Sequence, residues 1–167
     1  DLLSRLRPIT FGGGQEQGLR SGTVPTPLCV GFGKAAELMS QLGGDERLIL
    51  RGFRDRLWRG IRGIEPSAQL NGGICARHPG NLNVLFPKLD ASALIGALQP
   101  ELAISTGSAC TTGIPEPSHV LTAIGLSLED AECSVRFGVG RFTSNDDIQH
   151  ALSLLESAIR HLKQAVA

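Results

Sequence analysis

The chain has 167 residues, 41% of them hydrophobic and 19% charged, which is enough for one domain with a sizeable core. Sixteen basic and sixteen acidic residues cancel, so no basic face is indicated and nucleic acid is not an expected partner. No apolar run approaches the length of a transmembrane span, so no membrane partner is expected either.

The chain opens on Asp1 rather than Met and passes from a short apolar lead, Leu2 to Ile9, into Phe11-Gly12-Gly13-Gly14-Gln15-Glu16-Gln17-Gly18-Leu19-Arg20-Ser21-Gly22-Thr23. The early loop suggests a piece of a longer protein. Five glycines in those thirteen residues predict a loop whose backbone approaches a ligand or partner closely. Pro25 and Pro27 suit the first turn of a helix. Val30, Ala35, Leu38 and Leu42 give that helix an apolar stripe, and Gly43-Gly44 is expected to end it. Asp45 is then expected to cap a second helix running to about Ile61, with Leu48, Phe53 and Leu57 on one side. Ala68–Leu70 and Asn81–Phe86 read as strands, the second alternating at period two. Asp90 starts a short helix, and Leu102–Ser105 reads as a third strand. Glu116-Pro117-Ser118 opens a helix to about Ile124, and Ser134–Val139 is a strand with alternating faces. Thr143 or Ser144 caps a last helix, with Asp146 and Asp147 at its positive end and a stripe of Ile148, Leu152, Leu155, Ile159 and Leu162. The pattern is α/β.

The four cysteines (29, 75, 110 and 133) and four histidines (78, 119, 150 and 161) have no metal-ligand spacing, so no metal site is expected. A reducing cytoplasm is the expected location. Cys29 and Cys133 read as core and Cys75 as exposed. Cys110 differs, because Ser105 to Gly113 around it are all small or polar. Such a segment reads as a mobile loop, carrying either an inert surface cysteine or a travelling thiol that becomes reactive as thiolate. Arg136 lies in a strand whose neighbours Val135 and Phe137 face the other way. It offers a planar fork to a carboxylate, or else a surface ion pair. Ser21-Gly22-Thr23 reads as a helix cap or as a phosphate contact. Glu16 and Arg20 are spaced to pair in a turn, Arg141 reads as structural or interfacial, and His119 reads as a general acid or base or, in preference, as a helix-surface residue.

In order, GGGQEQGLRSGT (Gly12–Thr23), PGNLNVLF (Pro79–Phe86), TGSAC (Thr106–Cys110), EPSHVL (Glu116–Leu121) and SVRFGVGRFT (Ser134–Thr143) resemble the C-terminal part of a cysteine desulfurase. That family is pyridoxal-phosphate-dependent and related to class V aminotransferases. The resemblance implies the small C-terminal α/β domain of a fold-type I enzyme, a short mainly antiparallel sheet packed with helices. Residues 1–24 would be the tail of the large cofactor domain and 25–167 the small domain. It implies that Cys110 takes sulfur from L-cysteine as a persulfide, that Arg136 holds the substrate carboxylate, and that Thr23 reaches the cofactor phosphate of a second subunit. It further implies release of L-alanine, a homodimer, and a sulfur-acceptor protein such as an iron–sulfur scaffold. Lys34, Lys88 and Lys163 lack the family's Ser/His-rich cofactor context, so the isolated chain is expected to be inactive. A non-catalytic sulfur-carrier or interaction domain and a selenocysteine lyase are the alternative readings.

Overall fold

The computed structural model describes residues 5–75, 77–106 and 118–166. The chain divides into two compact units, Asp1–Gly43 and Gly44–Ala167.

In the first unit the Gly-rich segment is held by its own hydrogen bonds. Gln15–Gly18 forms a tight turn in which Glu16 (φ +52°) and Gln17 (φ +56°) are left-handed. Because that turn is not α-helical, the four-residue spacing does not bring Glu16 to Arg20. The Arg20 guanidinium instead donates to the carbonyls of Gly22 (2.7 Å) and Thr23 (3.3 Å). Ser21 donates to the Gly13 carbonyl at 2.6 Å, and the Gly22 N–H donates to Gln15 Oε1 at 3.1 Å. Ser21 therefore ties the loop shut rather than capping the helix. The helix α1, Thr26–Ile64, begins on the Pro25 carbonyl, which accepts from the N–H groups of Leu28 and Cys29.

Gly43-Gly44 does not end a helix, since α1 runs through it for 39 residues. Each glycine costs about 1 kcal/mol relative to alanine. The helix formers on both sides, Lys34 to Gln41 and Glu46 to Leu57, outweigh that cost. The expected stripes also shift. Val30, Leu48 and Cys29, read as inward-facing, are exposed, whereas Leu57 and Ile61 near the end of α1 are buried.

The second unit is built on a four-stranded antiparallel sheet of order β1-β2-β4-β3. The strands are β1 (Gln69–Leu70), β2 (Asn81–Leu85), β3 (Ser105–Thr106) and β4 (Ser134–Gly138). The helices are α2 (Ala91–Leu98), α3 (His119–Ala123), α4 (Leu128–Glu132) and α5 (Asn145–Val166). Of the expected Leu102–Ser105 strand, Leu102, Ala103 and Ile104 lie outside β3; among the described residues Ser105 and Thr106 pair with β4. Asp90 caps α2 as expected, accepting from the N–H groups of Ser92 (2.6 Å) and Ala93 (3.1 Å). Ser144 and Asp147 cap α5 reciprocally. Helix α4 has no counterpart in the expected elements, although Ser127, whose Oγ accepts from the Asp130 N–H at 3.0 Å, is the signal that marks it.

Strand alternation sorts the two faces of the sheet. Leu82 and Val84 of β2 stand opposite Phe137 and Val135 of β4. They join Leu57, Ile61, Leu94, Leu98, Ile148, Leu155 and Ile159 in one core, with Phe86 and Phe137 edge to face at 6.5 Å. Each fully buried aliphatic side chain contributes about 1.5–3 kcal/mol. The other face carries Asn81, Asn83 and Arg136.

Gly80 leads into β2 where the ladder is closed by the Val139 N–H donating to the Gly80 carbonyl at 2.9 Å. A Cβ there would collide with the backbone carbonyl of Val139. Gly80→Ala is expected to cost about 2 kcal/mol, seen as a melting temperature lower by about 4–8 °C. An unshifted transition would show that the strand entry can yield.

Glu65 follows α1, is buried, accepts from Ser67 Oγ at 2.5 Å and pairs with Lys163 of α5. Burial pushes its pKa up, but the bonds from Lys163 and Ser67 outweigh burial and hold it below the usual glutamate value. A depressed folded pKa gives stability that is full above the unfolded value, about 4.3, and is lost as pH falls through the folded one. Glu65→Gln is therefore expected to flatten the acid limb of a stability–pH curve while leaving its neutral slope unchanged.

Candidate functional site

Arg136 is at the centre of β4, exposed between buried Val135 and Phe137. Its backbone partners are Asn83 on β2 and Ser105 on β3. It makes no ion pair among the described residues. On this face a cavity of about 330 Å³ is lined by Arg136, Arg77, Asn71, Asn81, Asn83 and Ser118, with Val120, Leu121 and Ile124 forming an apolar wall. Among the described residues no carboxylate lines it. The period-two pattern therefore correctly turned Arg136 away from the core.

Arg77 and the asparagines were not singled out by the sequence. Arg77 folds onto its own loop, donating from Nε to the Gly73 carbonyl at 2.8 Å and from Nη2 to the Asn71 carbonyl at 2.5 Å. Burial, and then the like charge of Arg54, lower its pKa; an arginine nevertheless stays charged. Two guanidinium groups, with no acid among the described residues, give the cleft a positive charge that suits an anion. The Asn71 side chain is buried, donating to Asn83 Oδ1 at 2.7 Å and to Ser134 Oγ at 2.9 Å. Asn81 and Asn83 alternate with Leu82 and Val84, and that was the available signal.

Cys110 lies outside the described residues. Thr23, in the first unit, is exposed and follows Gly22, whose φ is +97°. Its hydroxyl makes no hydrogen bond among the described residues. His119 is exposed at the start of α3, as expected. Arg141 is structural, bidentate to Glu46 with its Nη2–Oε2 bond at 3.0 Å. The hydrogen bond from Arg141 holds Glu46 below the usual carboxylate range. Cys75 is exposed, and Cys133 is half-buried with its thiol pushed up by burial.

Residues 1–151 match the family profile of aminotransferase class-V. The chain belongs to the class-V aminotransferase family. It is 44% identical over 160 residues to the cysteine desulfurase IscS of Ehrlichia chaffeensis, covering 96% of this chain and 39% of that protein. The solved structure of a NifS-like protein from Rickettsia africae matches it with a TM-score of 0.81 at 25% identity, over 92% of this chain and 40% of that one. SspA, solved in complex with cysteine, is 34% identical with a TM-score of 0.53, over 83% and 37% of the respective chains. The chain thus spans about two fifths of the length of the proteins it matches.

The cofactor of class-V aminotransferases is pyridoxal phosphate. Thr23, exposed, carries a hydroxyl of the kind that donates to a phosphate. The lysines do not fit the cofactor's aldehyde. Lys34 pairs with Glu37 and Lys163 with Glu65. Lys88 lines a different cavity beside Phe86 and Leu89. None of the three lines the Arg136 cleft.

Proposed function

We propose that this chain is the C-terminal part of a pyridoxal-phosphate-dependent cysteine desulfurase, with residues 1–24 closing the large cofactor domain and 25–167 forming the small domain. The observation that carries this reading is the Arg136 fork, which has no ion pair and faces no acid among the described residues of its cleft, on a chain 44% identical to a cysteine desulfurase. That SspA was solved with cysteine supports L-cysteine as the ligand.

In this reading Arg136 takes the α-carboxylate of L-cysteine through two parallel N–H bonds, which fixes the amino acid's orientation. Thr23 donates to the cofactor phosphate across a homodimer interface. The cofactor supplies the electron sink that lets the substrate's C–S bond break. Cys110, as thiolate, attacks the substrate sulfur. An S–S bond forms, the C–S bond breaks, and the carbon that loses sulfur gains a proton. The balance is Cys110–SH plus L-cysteine giving Cys110–S–SH plus L-alanine. The small residues flanking Cys110 suit a thiol that must then present its sulfur to an acceptor protein, such as an iron–sulfur scaffold, in the cytoplasm. Without a lysine suited to the cofactor, the isolated 167 residues release no alanine.

Peptide mass spectrometry of the complete protein, incubated with L-cysteine and pyridoxal phosphate, tests this. One added sulfur on the peptide holding Cys110 is expected. No adduct on a protein with cofactor bound would overturn the desulfurase reading in favour of a sulfur-independent binding domain.

A further inference from the structure

We infer that Asn83 is a second donor to the carboxylate held by Arg136, its amide nitrogen turned into the cleft by a one-way chain of hydrogen bonds that starts at the Asp130 carbonyl. The inference rests on the reading of the cleft as a substrate-carboxylate site.

The direction of the chain follows from what each group can do. The backbone oxygen of Asp130 can only accept. It takes a 2.7 Å bond from Ser134 Oγ, which uses the single hydroxyl proton. Ser134 Oγ must then accept from Asn71 at 2.9 Å, so the Asn71 atom there is the nitrogen. The same Nδ2 reaches Asn83 at 2.7 Å, so the Asn83 atom there is the oxygen. Asn83 Nδ2, with two protons, is left on the other side of its amide and makes no hydrogen bond among the described residues.

The relay is dry and anchored. Ser134 has no exposed surface and Asn71 is 8% exposed, so water does not readily replace a member. The Asn71 backbone N–H donates to the Asn83 carbonyl at 3.0 Å, and its carbonyl is held by Arg77. Asn83 and Arg136 are directly opposed on adjacent strands, face the same side of the sheet and line the same cavity. A guanidinium fork and an amide NH₂ side by side offer three donors to a group that only accepts. That arrangement suits a carboxylate.

The test compares L-alanine with ethylamine, which lacks the carboxylate. Both are titrated into the complete, cofactor-loaded protein, with binding read from the cofactor spectrum. Asn83→Ala is expected to weaken L-alanine by about tenfold to hundredfold, the loss of one charge-assisted hydrogen bond. Ethylamine should change by less than about twofold, since it makes no such bond. Ser134 does not itself line the cleft and meets it only through Asn71; Ser134→Ala frees the Asn71 amide to turn, so it should weaken L-alanine in the same direction by a smaller factor. If Asn83→Ala does not fold, Ser134→Ala decides alone. Unchanged L-alanine binding, or equal losses for both ligands, overturns the inference. Release of sulfur from L-cysteine by the unaltered protein is measured alongside. Asn83-dependent binding of L-alanine without sulfur release would overturn the desulfurase reading and uphold this one. Failure of the unaltered protein to bind L-alanine would overturn both.

Discussion

Cys110→Ala, made in the complete protein, is expected to reduce alanine release from L-cysteine to background while leaving the cofactor's absorbance intact. The expectation follows from the atoms that must move. The sulfur leaving the substrate needs an attacking sulfur, and a methyl group cannot form the S–S bond. Serine should not rescue, because its hydroxyl is almost wholly protonated at neutral pH. The other thiols offer a control. Cys29 and Cys75 are exposed thiols. Cys133 is half-buried, and burial raises its pKa, which keeps it a thiol and a poor nucleophile. Replacing these three by alanine should leave turnover within about twofold, the range of surface or packing effects on a distant site. Alanine release at the unaltered rate by Cys110→Ala would remove that residue from the chemistry.

Arg136→Ala should raise KM for L-cysteine by roughly 100-fold with kcat changed far less. A charge-assisted hydrogen bond is worth about 1.5–3 kcal/mol. Two from one fork, discounted for the exposure of Arg136, come to about 3 kcal/mol, or roughly two decades in affinity. Because the carboxylate does not react, the lost contact is made equally in ground and transition states and therefore falls on KM. Lysine at this position keeps the charge but not the fork, and should recover part of the loss. Arg77 remains in the cleft and sets the residual attraction. Raising salt should weaken binding in the unaltered protein, since the cleft is open to water and its charges are screened. A KM unchanged in Arg136→Ala would show that the carboxylate lies elsewhere.

Much of the second unit was legible because short-range chemistry decides it. The alternation of Leu82, Val84, Val135 and Phe137 announced two strands with one buried face, and the register confirmed it. Asp90 and Ser144 announced their helices through side chains that reach their own backbone. The errors lie where longer-range effects compete. Gly43-Gly44 is a stop signal by local rule, but the helix-forming residues on either side carry α1 through it. Cys29 and Val30 have core-like side chains yet are exposed, since a pattern states which face is apolar and not what covers it. Helix α4 is only five residues long, too short for a periodic signal.

By itself the sequence determined the α/β class, the outward turn of Arg136, the kinship with cysteine desulfurases and the candidate thiol at 110. These depend on neighbours in the chain or on the order of motifs along it. Only the tertiary structure decided which groups meet Arg136. Asn71, Arg77, Asn83 and Ser134 are spread over 64 positions, and antiparallel pairing of β2 with β4 places Asn83 opposite Arg136. The direction of the hydrogen bonds from Asp130 to Asn83 is likewise absent from any local pattern. It arises because a carbonyl can only accept, and because burial of Ser134 and Asn71 leaves each group in the relay a single way to be satisfied.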